Sequence, residues 1–291
     1  MRDFVIAGCG YVGERLARAL PGRTLALVRS AARAAELAAA GIEAVEADFD
    51  AVSDAAALPA QAAGRVLYYL APPPGDGPAD PRLRALLAAL PATPARIVYM
   101  STTGVYGDTA GASVDESSPV EPATDRSRAR LDAERAVEDW AAAHGSEWVI
   151  LRVPGIYGPG RLPLERIRRG TPAIREPEAG PGNRIHVDDL VRVCVAAGTV
   201  PAAANRLYNV GDGNHASTTE YFRTVARLAG LPPPPEVSRE EARRAMSPLA
   251  WSFLGDSRRV ETSRLERELG VKIRYRDLEE GVRDSLAQQS A

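Results

Sequence analysis

A glycine pattern near the N-terminus constrains this chain more than any other feature. Phe4-Val5-Ile6-Ala7 is an apolar run the length of one buried strand, and Gly8, Gly10 and Gly13 follow it in G-x-G-x-x-G spacing. Glu14 to Leu20 then reads as a helix and Thr24 to Val28 as the next strand. Strand, glycine turn and helix start together form a site for a dinucleotide diphosphate. The first glycine allows the tight turn, the second lets backbone approach phosphate, and the third lets helix pack on strand. The helix N-terminus, where Tyr11 and Val12 lie, supplies N–H groups and partial positive charge.

Short apolar strands continue to alternate with longer Ala-rich stretches. Strands are expected at 3–7, 24–28, 43–46, 66–70, 96–100, 148–152 and 208–210. Helices are expected at 12–20, 30–40, 51–57, 80–90, 125–144, 187–198, 217–229 and 261–269. This alternation predicts an α/β fold, a Rossmann-type doubly wound parallel sheet with right-handed crossovers and helices on both faces. Residues 1–155 are assigned to the dinucleotide-binding domain. Residues 156–291 are assigned to a smaller C-terminal substrate lobe, with the stretch at about 184–213 returning to the sheet. The segments 170–183 and 231–238 read as loop and break. Ligands in such folds sit at the carboxyl ends of the strands, which places Leu70, Ala71, Pro72, Ser101 and Pro154 beside the cofactor.

Bulk properties exclude several classes. A net charge of −2 over 291 residues gives no field to draw nucleic acid or an acidic membrane surface. No apolar run reaches the ~18 residues of a membrane span, and the short N-terminal run leads straight into the glycine turn rather than a cleavage site. Cys9 and Cys194 are far apart and without C-x-x-C spacing, and His144, His186 and His215 are scattered. The expectation is a reduced, cytoplasmic protein with no metal cluster. Lys272 is the single lysine; the other 35 basic residues are arginines.

The second strand ends Leu27-Val28-Arg29-Ser30, with Arg33 a turn later. In NAD sites of this kind an acid near that strand end holds the ribose 2′-hydroxyl. An arginine there can pair instead with a 2′-phosphate, and a serine hydroxyl can hydrogen-bond it, so NADP is favoured over NAD; a solvated Arg29 at the strand end, with NAD bound, is the alternative. Asp48 and Phe49, after the third strand, are assigned to the adenine; an Asp capping the next helix is the alternative.

Read in order, GCGYVG at 8–13, VYMSTTGVYGD at 98–108, LRVPGIYGPGR at 151–161, NRIHVDDL at 183–190, YNVGDG at 208–213 and SRRVETSRLERELG at 257–270 resemble the extended and atypical short-chain dehydrogenase/reductase superfamily, the NAD-dependent epimerase/dehydratase-like group. The resemblance spans nearly the whole chain. It implies a dinucleotide stretched across the strand ends, a small-molecule substrate and, by analogy, a homodimer. It also implies that Thr102, five residues before Gly107 and flanked by Ser101 and Thr103, delivers a hydroxyl to the substrate oxygen; hydroxyls that only cap a turn are the alternative.

The same resemblance calls for Y-x-x-x-K on the following helix, a phenol and an ammonium one turn apart on one face. Anchoring on Ala133-Glu134 puts Arg126 at the tyrosine position and Arg130 at the lysine position. Arg130 retains a charge that can hold ribose hydroxyls. Arg126 cannot replace the phenol, because a guanidinium keeps its proton near pH 7. Tyr106 and Tyr157, just past strand ends, are the nearest phenols for the proton, with packing of the cleft as their alternative. His186 reads as a helix cap or packing residue, with a general base facing the cleft as the alternative, and Cys9 as a small residue beside the diphosphate, with a redox-sensing thiol as the alternative. Arg161, Arg166, Arg168 and Arg169 form either an acid-binding cluster or a solvated face. Two functions remain open: an oxidoreductase or epimerase acting on an alcohol, carbonyl or nucleotide-sugar-like substrate, and a non-catalytic NAD(P)-binding regulator or scaffold.

Overall fold

A computed structural model of the chain describes residues 3–50, 63–246, 251 and 257–289. The described strands are β1 (Phe4–Ala7), β2 (Thr24–Val28), β3 (Glu43–Glu46), β4 (Val66–Tyr69), β5 (Arg96–Thr102), β6 (Ser113–Val114), β7 (Glu147–Val153), β8 (Gly155–Tyr157), β9 (Ala173–Ile174), β10 (Arg184–His186), β11 (Arg206–Asn209), β12 (Glu236–Val237) and β13 (Arg259–Val260). The described helices are α1 (Tyr11–Ala19), α2 (Ala31–Ala39), α3 (Pro81–Ala89), α4 (Asp125–His144), α5 (Leu164–Arg168), α6 (Val187–Thr199), α7 (Thr218–Leu228), α8 (Arg239–Ala245), α9 (Ser263–Leu269) and α10 (Leu278–Gln289).

Seven strands pair in the order β11-β7-β5-β4-β1-β2-β3, all parallel. The chain runs outward from β1 to β3, then returns across β1 to build the other half. The strand order therefore reverses between β1 and β4, and a crevice opens over their carboxyl ends. Both faces of the sheet are buried. Phe4, Ile6, Tyr68, Val98 and Leu151 pack toward α1 and α6. Val5, Ala7, Tyr69, Ile97 and Tyr99 pack toward α3 and α4. This double burial is why the strands read as continuous apolar runs.

α4 has clean punctuation. Thr124 caps its start by accepting the Ser127 N–H at 3.1 Å, and Gly145 ends it in the left-handed conformation at φ +69°. A third apolar cluster lies beyond the sheet and joins Tyr157, Leu162, Tyr221, Phe222, Val225 and Val282. Three short parallel pairs, β8 with β10, β9 with β12, and β6 with β13, tie sequence-distant loops together.

The expected sheet strands and helices form within about two residues of their expected bounds, apart from the helix at 51–57, which lies outside the described residues. The loop reading of 170–183 is corrected: Ala173 and Ile174 form β9 there, and Glu236–Val237 from the Pro-rich break pair with them. α5 carries the Arg166–Arg168 stretch on a short helix, as one of its two readings has it, whereas α8 and α10 lie outside the expected helices. α10 lacks a strong apolar stripe and contains Gly281, where a Cβ would run into the buried Tyr157 hydroxyl.

α6 lies against the sheet through Gly198. The Tyr68 hydroxyl donates to the Cys194 carbonyl at 3.0 Å, and a Cβ on Gly198 would overlap that hydroxyl. Tyr68 is fully buried and cannot swing aside. Gly198→Ala is expected to destabilise the protein by about 1–3 kcal/mol, as overpacking does. Chemical denaturation checks this; an unchanged midpoint would mean the helix shifts freely.

Candidate functional site

The glycine turn has the geometry its spacing implies. Gly8 sits at φ +91°, and a Cβ there would lie 2.5 Å from the Ala71 nitrogen. The turn can thus press against the loop after β4 only without a side chain. Leu70 donates its N–H to the Ala7 carbonyl at 2.8 Å, which fixes the Leu70–Ala71 backbone beside the turn; Pro72 beyond it is exposed. A Cβ on Gly13 would come within 3.1 Å of the Gly8 carbonyl and 3.3 Å of Ile6, the close helix–strand contact. At Gly10 a Cβ would meet nothing within 4 Å. That open space, at the start of α1 with Val12 buried behind it, is where a diphosphate fits the residues present.

Tyr11 opens α1 and leaves the turn sideways. Its hydroxyl donates to the Pro159 carbonyl at 2.9 Å, and the guanidiniums of Arg15 and Arg161 lie 4.1 and 4.5 Å from its ring centre. At the end of β2, Ser30 caps α2, and Arg33 is spent on Glu14 at 2.8 Å and Glu36 at 2.9 Å. Arg29 is exposed and makes no hydrogen bond or ion pair among the described residues. Asp48 accepts the Asp50 N–H at 3.1 Å in a local turn, and Phe49 is buried against Tyr69 rather than open to a base.

At the end of β5 the alternation of side chains splits the expected residues. Ser101 points to α4, is buried, and donates to Glu134 at 2.5 Å. Glu134 also receives two bonds from Arg152, at 3.1 and 2.7 Å. The Arg152 guanidinium lies 4.8 Å over the Tyr106 ring, and the Tyr106 hydroxyl donates to Asn209 at 2.7 Å. Two expectations are therefore revised. Ser101 is committed to a buried carboxylate rather than to a cofactor. Tyr106 is 2% exposed, and burial raises its pKa, so it is no proton carrier for a cleft. Arg130 is revised too: it is buried against β5, donates to the Met100 carbonyl at 2.6 Å, and reaches the Tyr99 hydroxyl at 3.4 Å.

Thr102 faces the other way, onto a cleft of about 590 Å³ between the strand ends and the C-terminal elements. Its Oγ1 accepts the Gly104 N–H at 3.2 Å, which orients the hydroxyl and leaves its proton for another acceptor. Pro154 shares the cleft wall. So do five arginines, Arg126, Arg161, Arg166, Arg184 and Arg258, and no acidic side chain among the described residues. Arg166 lies 5.1 Å over Phe222, and Arg184 lies 4.6 Å over Tyr221 while donating to the Ala216 and Ser217 carbonyls. Arg168 and Arg169 turn away to Glu165, so the arginine cluster of 161–169 divides between cleft and solvent. Arg184, Arg258 and Tyr221 had no local signal in the sequence; segments far apart in the chain bring them together.

The remaining candidates leave the cleft. Tyr157 is buried edge-on to His186 at 5.2 Å, and burial raises its pKa. His186 is fully buried and caps α6: Nδ1 accepts the Asp188 N–H at 3.2 Å, which puts the proton on Nε2, toward Ser285 at 3.2 Å. Burial pushes the Cys9 thiol up to about 11 and the Cys194 thiol up to about 12, so neither offers a thiolate. Asp212, after β11, is 2% exposed and pushed up to about 7 by burial, against a bond from the Asn214 N–H and the Arg184 charge.

Comparison with known proteins gives a consistent result. The model of the NAD dependent epimerase/dehydratase family matches residues 4–211. Protein YeeZ of Escherichia coli K12 is 28% identical over 95% of this chain and 97% of its own length. A functionally unknown conserved protein from Silicibacter pomeroyi is 31% identical, with a TM-score of 0.85 and 100% of both chains covered. UDP-glucuronic acid 4-epimerase from Bacillus cereus, solved in complex with NAD, shares the fold at a TM-score of 0.76 and 18% identity, over 99% of this chain and 100% of that one.

A carboxyl whose folded-state pKa lies above its unfolded value stabilises the fold while protonated. For Asp212 that contribution is complete below about pH 4 and is lost as pH rises through about 7. Asp212→Asn is expected to flatten the fall of stability between these limits and to raise unfolding free energy at pH 8 by on the order of 1 kcal/mol or more. Denaturant titrations at pH 4, 6 and 8 check it; parallel curves for the two proteins would contradict it. Gly10→Ala is expected to leave stability within about 0.5 kcal/mol, and to weaken dinucleotide binding, measured by fluorescence titration, at least about tenfold by filling the open space at the helix start.

Proposed function

The chain belongs to the NAD dependent epimerase/dehydratase family, and from that premise we propose that it is an NADP(H)-binding oxidoreductase or epimerase acting on an alcohol or carbonyl of a nucleotide-sugar-like substrate. The observation that carries this reading is the Thr102 hydroxyl, oriented by the Gly104 N–H and opening onto an arginine-lined cleft at the carboxyl end of β5. In this reading residues 1–155 hold the cofactor and residues 156–291 cover the substrate. The amides of the Gly8–Gly13 turn hold the diphosphate, and the exposed Arg29 with the Ser30 hydroxyl takes a 2′-phosphate, which favours NADP over NAD.

When bound, the nicotinamide supplies a hydride donor or acceptor. Thr102 donates its hydroxyl proton as a hydrogen bond to the reacting oxygen and fixes the reacting carbon at the strand end. Arg126 adds positive charge beside that oxygen without exchanging a proton. Among the described residues no phenol lines the wall beside Thr102, so in this reading a group other than the usual tyrosine moves the proton. The cleft arginines suit the acid groups of a nucleotide sugar, a substrate class borne by relatives such as the UDP-glucuronic acid 4-epimerase. The buried free cysteines and the lack, among the described residues, of a helix long and apolar enough to cross a membrane fit a cytoplasmic site of action.

The replacement of a phenol by Arg126 supports a second reading, a regulator that binds NAD(P) without turnover. Two measurements separate them. Fluorescence titration is expected to give tighter binding of NADPH than of NADH, with Arg29→Ala removing the difference; equal affinities in the unaltered protein would defeat the 2′-phosphate assignment. A panel of carbonyl substrates followed by NADPH absorbance, and of nucleotide sugars followed by chromatography of the epimer formed, is expected to show turnover that Thr102→Ala lowers about 100-fold and Thr102→Ser largely keeps. NADPH binding with no turnover on any substrate would favour the regulator.

A further inference from the structure

Away from the cleft, the junction of β10 and α6 meets the C-terminal helix α10, and three potential ligands converge there. One nitrogen of His186, one oxygen of Asp188 and one oxygen of Asp284 lie within 4.8 Å of one another. His186 ends β10, Asp188 lies in the first turn of α6, and Asp284 comes from α10. The expectation of no metal cluster rests on the scatter of the histidines. A single ring joined by two carboxylates, one of them from a distant segment, escapes that test.

The His186 ring is fully buried, whereas the Asp188 and Asp284 side chains are 36% and 27% exposed. The group is thus fixed at one end and open to water at the other. Nε2 stands 3.2 Å from the Ser285 Oγ and 3.8 Å from the Asp284 Oδ2. Ser285 spends its own proton on the Gly281 carbonyl at 2.6 Å, which leaves its lone pairs for the ring side. The Tyr275 ring lies 4.1 Å from the His186 ring, and its buried hydroxyl turns toward Asp284 without reaching hydrogen-bond geometry. The α10 side of the imidazole therefore gathers a carboxylate and two hydroxyls. Ions of the zinc class hold nitrogen and oxygen at about 2.0–2.2 Å, which sets neighbouring donors about 3–3.5 Å apart. The 3.2 Å spacing already meets this, and the 3.8 Å spacing needs only a small turn of the partly exposed Asp284.

On the other side of the ring, the Asp188 Oδ2 lies 3.8 Å from Nδ1. A neutral imidazole carries one proton, so an ion on Nε2 moves that proton to Nδ1. The Asp188 carboxylate is placed to accept it as a hydrogen bond, the arrangement that orients metal-bound histidines. Neither carboxylate pairs with an arginine or lysine among the described residues. Asp284 takes a neutral bond from the Gln288 amide at 2.7 Å, and Arg192 is committed to Asp189 at 2.8 Å. The negative charge left beside the neutral ring suits a dication. Imidazole with carboxylate favours zinc-class ions over magnesium or calcium, which prefer oxygen alone.

We propose that His186 Nε2 and Asp284 bind a divalent ion of the zinc class, with Asp188 holding the other ring nitrogen, and that this ion fastens α10 to the start of α6.

The test is calorimetric titration of the full chain, stripped with chelator, by Zn²⁺ and by Mg²⁺. One equivalent of Zn²⁺ is expected to bind and to raise the thermal midpoint, and Mg²⁺ to do neither. Asp284→Asn is expected to weaken Zn²⁺ binding about 100-fold, and Asp188→Asn about tenfold, as loss of an outer partner does. His144→Gln, which removes the exposed histidine of α4, is expected to leave the affinity unchanged. Failure of Zn²⁺ to bind, or an affinity that Asp284→Asn leaves unchanged, would overturn the proposal. Loss of binding in His144→Gln would also overturn it, by moving the ion to the surface of α4.

Discussion

A buried carboxylate organises the strand ends of this protein. Glu134 is 3% exposed, and its two oxygens take three bonds, one from Ser101 and two from Arg152. An ion pair so far from water survives only when its lone pairs are filled, because loss of either partner strands a charge. The requirement locks α4 to β5 and β7 at one level. Through Arg152 over Tyr106, and Tyr106 on Asn209, it extends to β11. Thr102, Arg126 and Pro154 each lie within a turn or two of a member of this network. The cleft wall they form is set by a polar lattice they do not belong to.

The same lattice explains why one basic pair has two fates. Arg126 and Arg130 occupy equivalent turns of one helix, yet Arg130 faces β5 and is spent on the Met100 carbonyl, while Arg126 faces the cleft. What distinguishes this chain from a phenol-and-ammonium design is therefore one cation in the wall and one behind it. The cleft wall presents the Arg126 guanidinium where the resembled pattern has a phenol, and the Thr102 hydroxyl opens beside it.

Much of this was legible in the residues alone, for definite reasons. The glycine turn is dictated by backbone: φ +91° at Gly8 and contact with Ala71 leave one residue type. The Arg126/Arg130 substitution is visible because helical spacing is regular. Strand faces were readable as well, since neighbours alternate sides, and that rule separates Ser101 from Thr102. Ignoring it placed both residues toward ligand. What local pattern cannot supply is the meeting of distant segments. Arg184 and Tyr221 are 37 positions apart and stack in the cleft only because β10 and α7 fold together. α10 escaped notice because Gly281, needed to admit Tyr157, dilutes the helical signal.

The Tyr11 hydroxyl links the diphosphate turn to the Pro159 carbonyl, and Arg161 rests on the same ring while lining the cleft. One aromatic side chain thus touches the walls of two compartments. In the proposed reading, a ligand at the turn that altered affinity in the cleft through this ring would have its own affinity altered by the same factor. The ring is the one side chain through which two ligands of the proposed reading would be linked, in equilibrium affinity and not in rate.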